Sequence, residues 1–297
     1  MRYDVTHTTR YLADVPVSLC HNMAWLTPRI TPAQRCEQHE LTFNPQPSVS
    51  TRRVDVFGNQ TTHFSFNEGY QALEVTAVSR VSVNEPPVRD PDDSPDWGAV
   101  RERLQACSQS DDLDAFQFVF PSPRVPPVGS LEEYARSSFP PGRAILDAVV
   151  DLTGRIFRDF DYDPRATTVS TPVSEVMQHR RGVCQDFAHV EIGMVRSLGL
   201  AARYVSGYLR TEPPSGGTRL VGADASHAWL AVYCGELGWV DVDPTNNKLT
   251  GEDHITLAWG RDYSDVCPVK GVYVGGHQDE LSVSVDVVPV RRARGGR

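Results

Sequence analysis

No apolar run in the 297 residues approaches the ~18 residues that a membrane-spanning helix needs, so no membrane partner is expected. Positive charge is in short supply: 29 Lys and Arg stand against 38 Asp and Glu, a formal net charge of −9. A nucleic-acid partner would ask for a basic face, so none is expected, and the basic run at 291–297 reads as a solvated tail. Cysteine is scarce, with six residues at 20, 36, 107, 184, 234 and 267 and no Cys-x-x-Cys pair. That argues for reduced thiols and against a disulfide framework or a zinc site. The opening Met-Arg-Tyr-Asp-Val-Thr-His has no apolar segment of the kind found in a secretory signal, and a cytoplasmic location is the expectation.

What remains is an ordinary globular composition, 40% apolar and 23% charged, long enough for one large or two medium domains. Residues 1–88 read as an antiparallel β-domain. Tyr3–Tyr11, Glu40–Asn44, Thr62–Phe66 and Leu73–Val83 alternate apolar and polar residues, and Asp55–Asn59 is a turn with Gly58 suited to positive φ. Residues 89–130 are rich in proline and acid and read as a linker, with a short helix at Ala99–Cys107. Residues 131–297 carry helices at Leu131–Ser137, at Ala144–Asp159 and after Thr171-Pro172, and end in one or two strands, Gly271–Val274 and Leu281–Val288. The whole is α+β.

The chemistry gathers at Arg181–Leu209. Gly182 reads as a turn before an amphipathic helix in which Phe187, Val190, Met194 and Leu198 form a stripe closed by Gly199, and Ala201–Leu209 then reads as a strand. Cys184 therefore falls in a first helical turn, where free N–H groups and the helix dipole stabilise a thiolate and can receive an oxyanion. Ser226–Tyr233 is a strand bearing His227, Gly235–Gly238 a turn, and Trp239–Thr245 the returning strand, stopped at Pro244. His227 and Asp243 share a face only if the connection has an odd count or a bulge. Asp243 is then the carboxylate nearer His227, with Asp241 second. His189 lies ~140° round the helix from Cys184 and cannot readily face it, and His179 has no evident carboxylate partner.

Gly-Val-Cys-Gln-Asp-Phe-Ala-His, then His-Ala-Trp, then Asp-Pro-Thr resembles the transglutaminase-like superfamily, with its papain-like core and its order Cys, His, Asp. His-Thr-Thr-Arg-Tyr, Trp-Leu-Thr-Pro and Asp-Val-Phe-Gly-Asn resemble the N-terminal domain of the bacterial members. The resemblance implies a catalytic triad of Cys184, His227 and Asp243 working through a thioester on a peptide or amide substrate. Hydrolysis is the first expectation, acyl transfer to an amine the second, and a silent binding module on the same fold the third.

Trp229, Trp239 and Tyr208 are candidate substrate-lining aromatics, with Tyr162 behind them, and Gln185 could line the oxyanion region. Each could equally be packing or a solvated side chain. Asp186 is expected to pair with an arginine such as Arg203, and Thr211–Ala225 to form a flap over the cleft. No cofactor and no metal are expected: no twelve-residue calcium loop exists, and carboxylates on an ion could not also orient His227. Nothing in the sequence sets the oligomeric state.

Overall fold

The period-two pattern of the first residues runs on well past Tyr11. β1 (Arg2–Ala24) is a single long strand whose inward side chains Tyr3, Val5, His7 and Thr9 alternate with more exposed neighbours. The computed structural model describes residues 1–87, 90–211, 226–276 and 278–290. The first half of β1 pairs with β5 (Tyr70–Val83) and the second with β4 (Gln60–Phe66). With β2 (Gln34–Asn44) and β3 (Val49–Val54) the order is β2-β5-β1-β4-β3. In the turn before β4, Asp55 accepts the N–H groups of Phe57 at 2.9 Å and Asn59 at 2.8 Å, and Gly58 has φ +76°.

The stretch expected as a linker holds two helices, α1 (Trp97–Ala106) and α2 (Ser110–Phe116). Their Val100, Leu104 and Ala115, with Phe118 just beyond, are buried in the same core as the helices that follow. Acidic composition there serves local structure: Asp96 caps α1 by accepting from Ala99 N–H at 3.1 Å. Then come α3 (Gly129–Arg136), α4 (Ile145–Asp159), β6 (Asp161–Tyr162), α5 (Val173–His179), β7 (Arg181–Gly182) and α6 (Cys184–Ser197).

The central sheet has the order β11-β10-β9-β8-β12, built from β8 (Ala202–Leu209), β9 (Ser226–Tyr233), β10 (Trp239–Asp243), β11 (Lys248–Leu249) and β12 (His254–Gly260). One face, with Ala202, Tyr204, Ala228, Leu230 and Val232, packs on the helices. Tyr208, Ile255 and Leu257 pack instead into the core of the N-terminal sheet. After α7 (Tyr263–Val266), β13 (Val269–Gly275) and β14 (Gln278–Pro289) return to pair with β1. The final strands, placed by sequence within the 131–297 segment, thus complete the N-terminal sheet, where they satisfy the hydrogen-bonding edge that β1 would otherwise leave open.

Gly207 on β8 marks where β9 and β12 close in. A methyl group there would stand 2.2 Å from the carbonyl oxygen of Ile255 and 2.4 Å from the Trp229 ring. Gly207→Ala is expected to destabilise the protein by ~2–3 kcal/mol. A fall in the urea midpoint at unchanged slope checks this, and an unchanged midpoint contradicts it.

Candidate active site

Cys184 opens α6 and is half-buried. The helix start is held by Asp186, whose carboxylate folds back to accept the Val183 N–H at 2.8 Å and the Thr167 hydroxyl at 2.6 Å. This replaces the expected ion pair with Arg203. It also explains Gly182, which has no positive φ: a Cβ there would come 2.6 Å from Asp186 Oδ2. Burial pushes the Asp186 carboxyl upward. The N–H groups of Cys184 and Gln185 find no acceptor among the described residues, so they point free from the dipole's positive end. The Gln185 amide is turned to the Val169 carbonyl at 3.2 Å.

The hairpin supplies the partners. Trp239 pairs with Tyr233, leaving Cys234–Gly238 between them, an odd count of five that brings His227 and Asp243 to one face. Asp241 lies opposite Ala231, so the same register places Asp243 across from Trp229 and diagonal to His227. His227 Nε2 donates to Asp243 Oδ2 at 2.7 Å. With Nε2 so engaged, Nδ1 is the ring nitrogen left for the Cys184 thiol, which lies near enough to influence the imidazole. Burial alone would lower the His227 pKa, but the hydrogen bond to Asp243 and the nearness of Asp243 and Cys184 outweigh it and push the imidazole up to about 9.

Asp243 is itself held from every side. Pro244 ends β10, and the turn behind it aims the Thr245 and Asn246 N–H groups at Oδ1, at 3.0 and 3.2 Å. Oδ2 accepts from the Asn246 amide at 2.7 Å and from His254 Nε2 at 3.2 Å, besides His227. Burial would raise this carboxyl, yet its donors, His227 first among them, hold it well below the usual carboxylate range. His254 accepts the Gly251 N–H on Nδ1 at 3.3 Å, which sets its tautomer with the proton on Nε2. His254 lies outside the residues expected from sequence, and Asn246, which with Asp241 and Asp243 suggests from sequence only a cation site, is here a donor to Asp243. A histidine opening the strand His-Ile-Thr-Leu-Ala-Trp, and an Asp-Pro-Thr-Asn turn, were the available signals.

The other expected residues stand apart from the thiol. Asp241 accepts the Trp229 indole N–H at 2.9 Å instead of meeting His227. Trp229 is fully buried, and with Trp239 it borders a cavity on the far side of the sheet. Tyr208 is 1% exposed, sits in the N-terminal core, and its hydroxyl is engaged by His7 Nδ1 at 3.0 Å, so it is closed to substrate. Tyr162, exposed and close enough to feel the charge of Cys184, is the aromatic nearer the thiol. His189 is buried and accepts the Tyr263 N–H, and His179 lies on α5 beside Arg181. Residues 212–225 of the expected flap and the basic tail lie outside the described residues. His227, Asp243 and His254 have ligand atoms within 4.8 Å of one another, the single such grouping among the described residues. An ion there would displace the hydrogen bond that aims His227 at Cys184.

Comparison with known proteins bears on the family and the fold. Residues 3–82 match the bacterial transglutaminase-like N-terminal region, and residues 133–244 match the transglutaminase-like superfamily. An uncharacterized protein of Mycobacterium tuberculosis is 39% identical, over 97% of this chain and 93% of its own. One of Mycobacterium leprae is 32% identical, over 96% of this chain and 98% of its own. A solved structure from Cytophaga hutchinsonii, described as a candidate cysteine protease, superposes with a TM-score of 0.76 at 19% identity, covering 99% of this chain and 92% of that one. At that identity it speaks for the fold. A Pseudomonas aeruginosa protein-glutamine gamma-glutamyltransferase is 31% identical over 32% of this chain and 15% of its own.

The pair His227–Asp243 carries a pH signature. The folded His227 value, about 9, lies above its ordinary 6.5, so its contribution to stability is full below 6.5 and is lost as pH rises through 9. The folded Asp243 value lies below its ordinary 3.8, so its contribution is present above 3.8 and is lost as pH falls further. The stability difference between wild type and Asp243→Asn should therefore plateau between pH 3.8 and 6.5 and shrink toward pH 9. Urea titrations across pH check this, and a flat difference contradicts it.

Proposed function

The chain belongs to the transglutaminase-like superfamily, and on that premise we propose that it is a cysteine-dependent amide-bond enzyme that hydrolyses peptide or amide substrates. The observation carrying this reading is one line of contacts. Asp243 grips His227 at 2.7 Å, and the Cys184 thiol, at the free N-terminus of α6, lies near enough to His227 to raise its pKa.

Each group has a step to perform. His227 takes the thiol proton, and the Cys184 thiolate adds to the substrate carbonyl carbon, moving the carbonyl π pair onto oxygen. The free N–H groups of Cys184 and Gln185 receive that oxyanion. Collapse re-forms the carbonyl and breaks the C–N bond, and the departing amine takes the proton from the His227 imidazolium, leaving a thioester. His227 then takes a proton from water as it attacks, and the thiolate leaves with the carboxylic acid as product. Asp243 holds the ring tautomer and steadies the imidazolium throughout.

Acyl transfer is the second reading. It rests on the stretch shared with the Pseudomonas glutamyltransferase, and it differs only in an amine replacing water at the thioester. The six cysteines are free, which fits a reducing compartment, and we assign the enzyme to the cytoplasm.

The thiol pairing is tested by iodoacetamide at mildly acidic pH, where an ordinary thiol is almost wholly protonated. Wild type should label once, at Cys184, and His227→Ala should slow that labelling by ~100-fold or more. Equal slow labelling of several cysteines would contradict the pairing. Cys184→Ala should abolish turnover. Asp243→Asn should lower it by ~10²–10⁴-fold, and Asp241→Asn should have a mild effect. The reverse order would transfer the orienting role to Asp241. Product mass with and without added primary amines separates hydrolysis from transfer.

A further inference from the structure

Two arginines of the core are more than nine-tenths buried, Arg196 at 7% and Arg203 at 8% exposure, and they are satisfied in different ways. Arg196 donates to the carbonyls of Phe118, Ala202 and Arg261 and to the Ser122 hydroxyl. Arg203 makes no hydrogen bond to the described residues, and its Nε–H is buried without an acceptor. Its guanidinium is stacked instead, 3.6 Å from the centre of the Trp259 ring and 4.1 Å from that of Trp239. Stacking covers the faces of the guanidinium plane and leaves its N–H edge unused.

Arg203 borders a cavity of about 520 Å³ between the back of the central sheet and the N-terminal sheet. The same wall carries Trp229, Trp239, Trp259, Asp241 and His254. Asp241 gives Oδ2 to the Trp229 indole, and Oδ1 has no donor among the described residues. Asp241 is near enough to Arg203 to feel its charge, but the two do not meet as an ion pair. Two neighbouring polar side chains of the wall are already paired, His254 with Asp243 and Gly251, and Gln34 with Arg29 and Thr256. Arg29, outside the lining but 3.4 Å from the centre of the same Trp259 ring, adds to the positive side. A charge taken out of water without a full set of hydrogen-bonded partners is strongly unfavourable, so two opposite, incompletely satisfied charges side by side on one aromatic wall are the mark of a ligand that carries both.

We infer that this cavity binds a small zwitterion of the amino-acid type, with its carboxylate on the Arg203 edge, its ammonium toward Asp241 and an apolar side chain against the indoles. The site is separate from the Cys184 thiol and does not depend on which reaction that thiol performs. Three of the chain's five tryptophans line it, so occupancy is read directly in tryptophan emission.

The test titrates the full-length protein with L-phenylalanine and L-leucine, and with two probes that each lack one charge, L-phenylalaninamide and phenylpropionate. A saturable change is expected with phenylalanine or leucine, with both single-charge probes weaker by ~10-fold or more. Arg203→Gln should abolish the response, and Arg203→Lys, which keeps the charge but not the planar edge, should weaken it. The comparison of probes on wild type stands even if neither variant folds. Equal binding of all probes would show a merely apolar cavity and overturn the inference. So would displacement by inorganic phosphate alone, or no saturable response to either amino acid.

Discussion

The carboxylate of Asp243 organises the candidate site. It accepts from His227, His254, the Asn246 side chain and two backbone N–H groups, and it is completely buried. A carboxylate without solvent is tolerable only when its lone pairs are filled by donors, and here they come from three separate segments of chain. The donors fix the carboxylate, the carboxylate fixes the His227 ring, and the ring is thereby aimed at the thiol on α6. Each donor thus bears on the sulfur through His227, the one of these groups whose pKa Cys184 shifts first-hand.

The fold supplies this precision from two sides. Helices cover one face of the central sheet and bring the N-terminus of α6 to the hairpin. The N-terminal sheet, completed by the last strands of the chain, backs the other end of β8 and β12 and encloses the tryptophan-lined cavity. Trp229 and His254 belong to both regions: Trp229 donates to Asp241 in the cavity wall, and His254 reaches Asp243. The N-terminal sheet is in this sense part of the wall behind the site.

What could be read in the sequence was local or periodic. The α6 stripe and the hairpin follow from spacing, while the odd count of its loop came from the register, and the fold class and the family resemblance agree with the comparisons. What could not be read was long-range. Nothing in Val269–Gly275 or Gln278–Pro289 says which edge they join, because strand pairing across some 250 residues leaves no local mark. The stretch at 89–130 reads as a linker because prolines and acids dominate its composition, yet its few apolar residues are buried. Arg203 and Asp186 looked like complementary charges, but a helix start claimed one and two indoles the other. Tyr208 shows the limit of composition: an aromatic near a reactive strand can face the opposite core.

The central claim is that Asp243 and Cys184 hold His227 as an imidazolium well beyond the range of an ordinary histidine. Its most direct test is an NMR titration of the His227 ring nitrogens in the wild-type protein. The account predicts that both remain protonated until about pH 9, with the Nε2 proton shifted by its bond to Asp243. A ring that titrates at its ordinary value of 6.5 would contradict it.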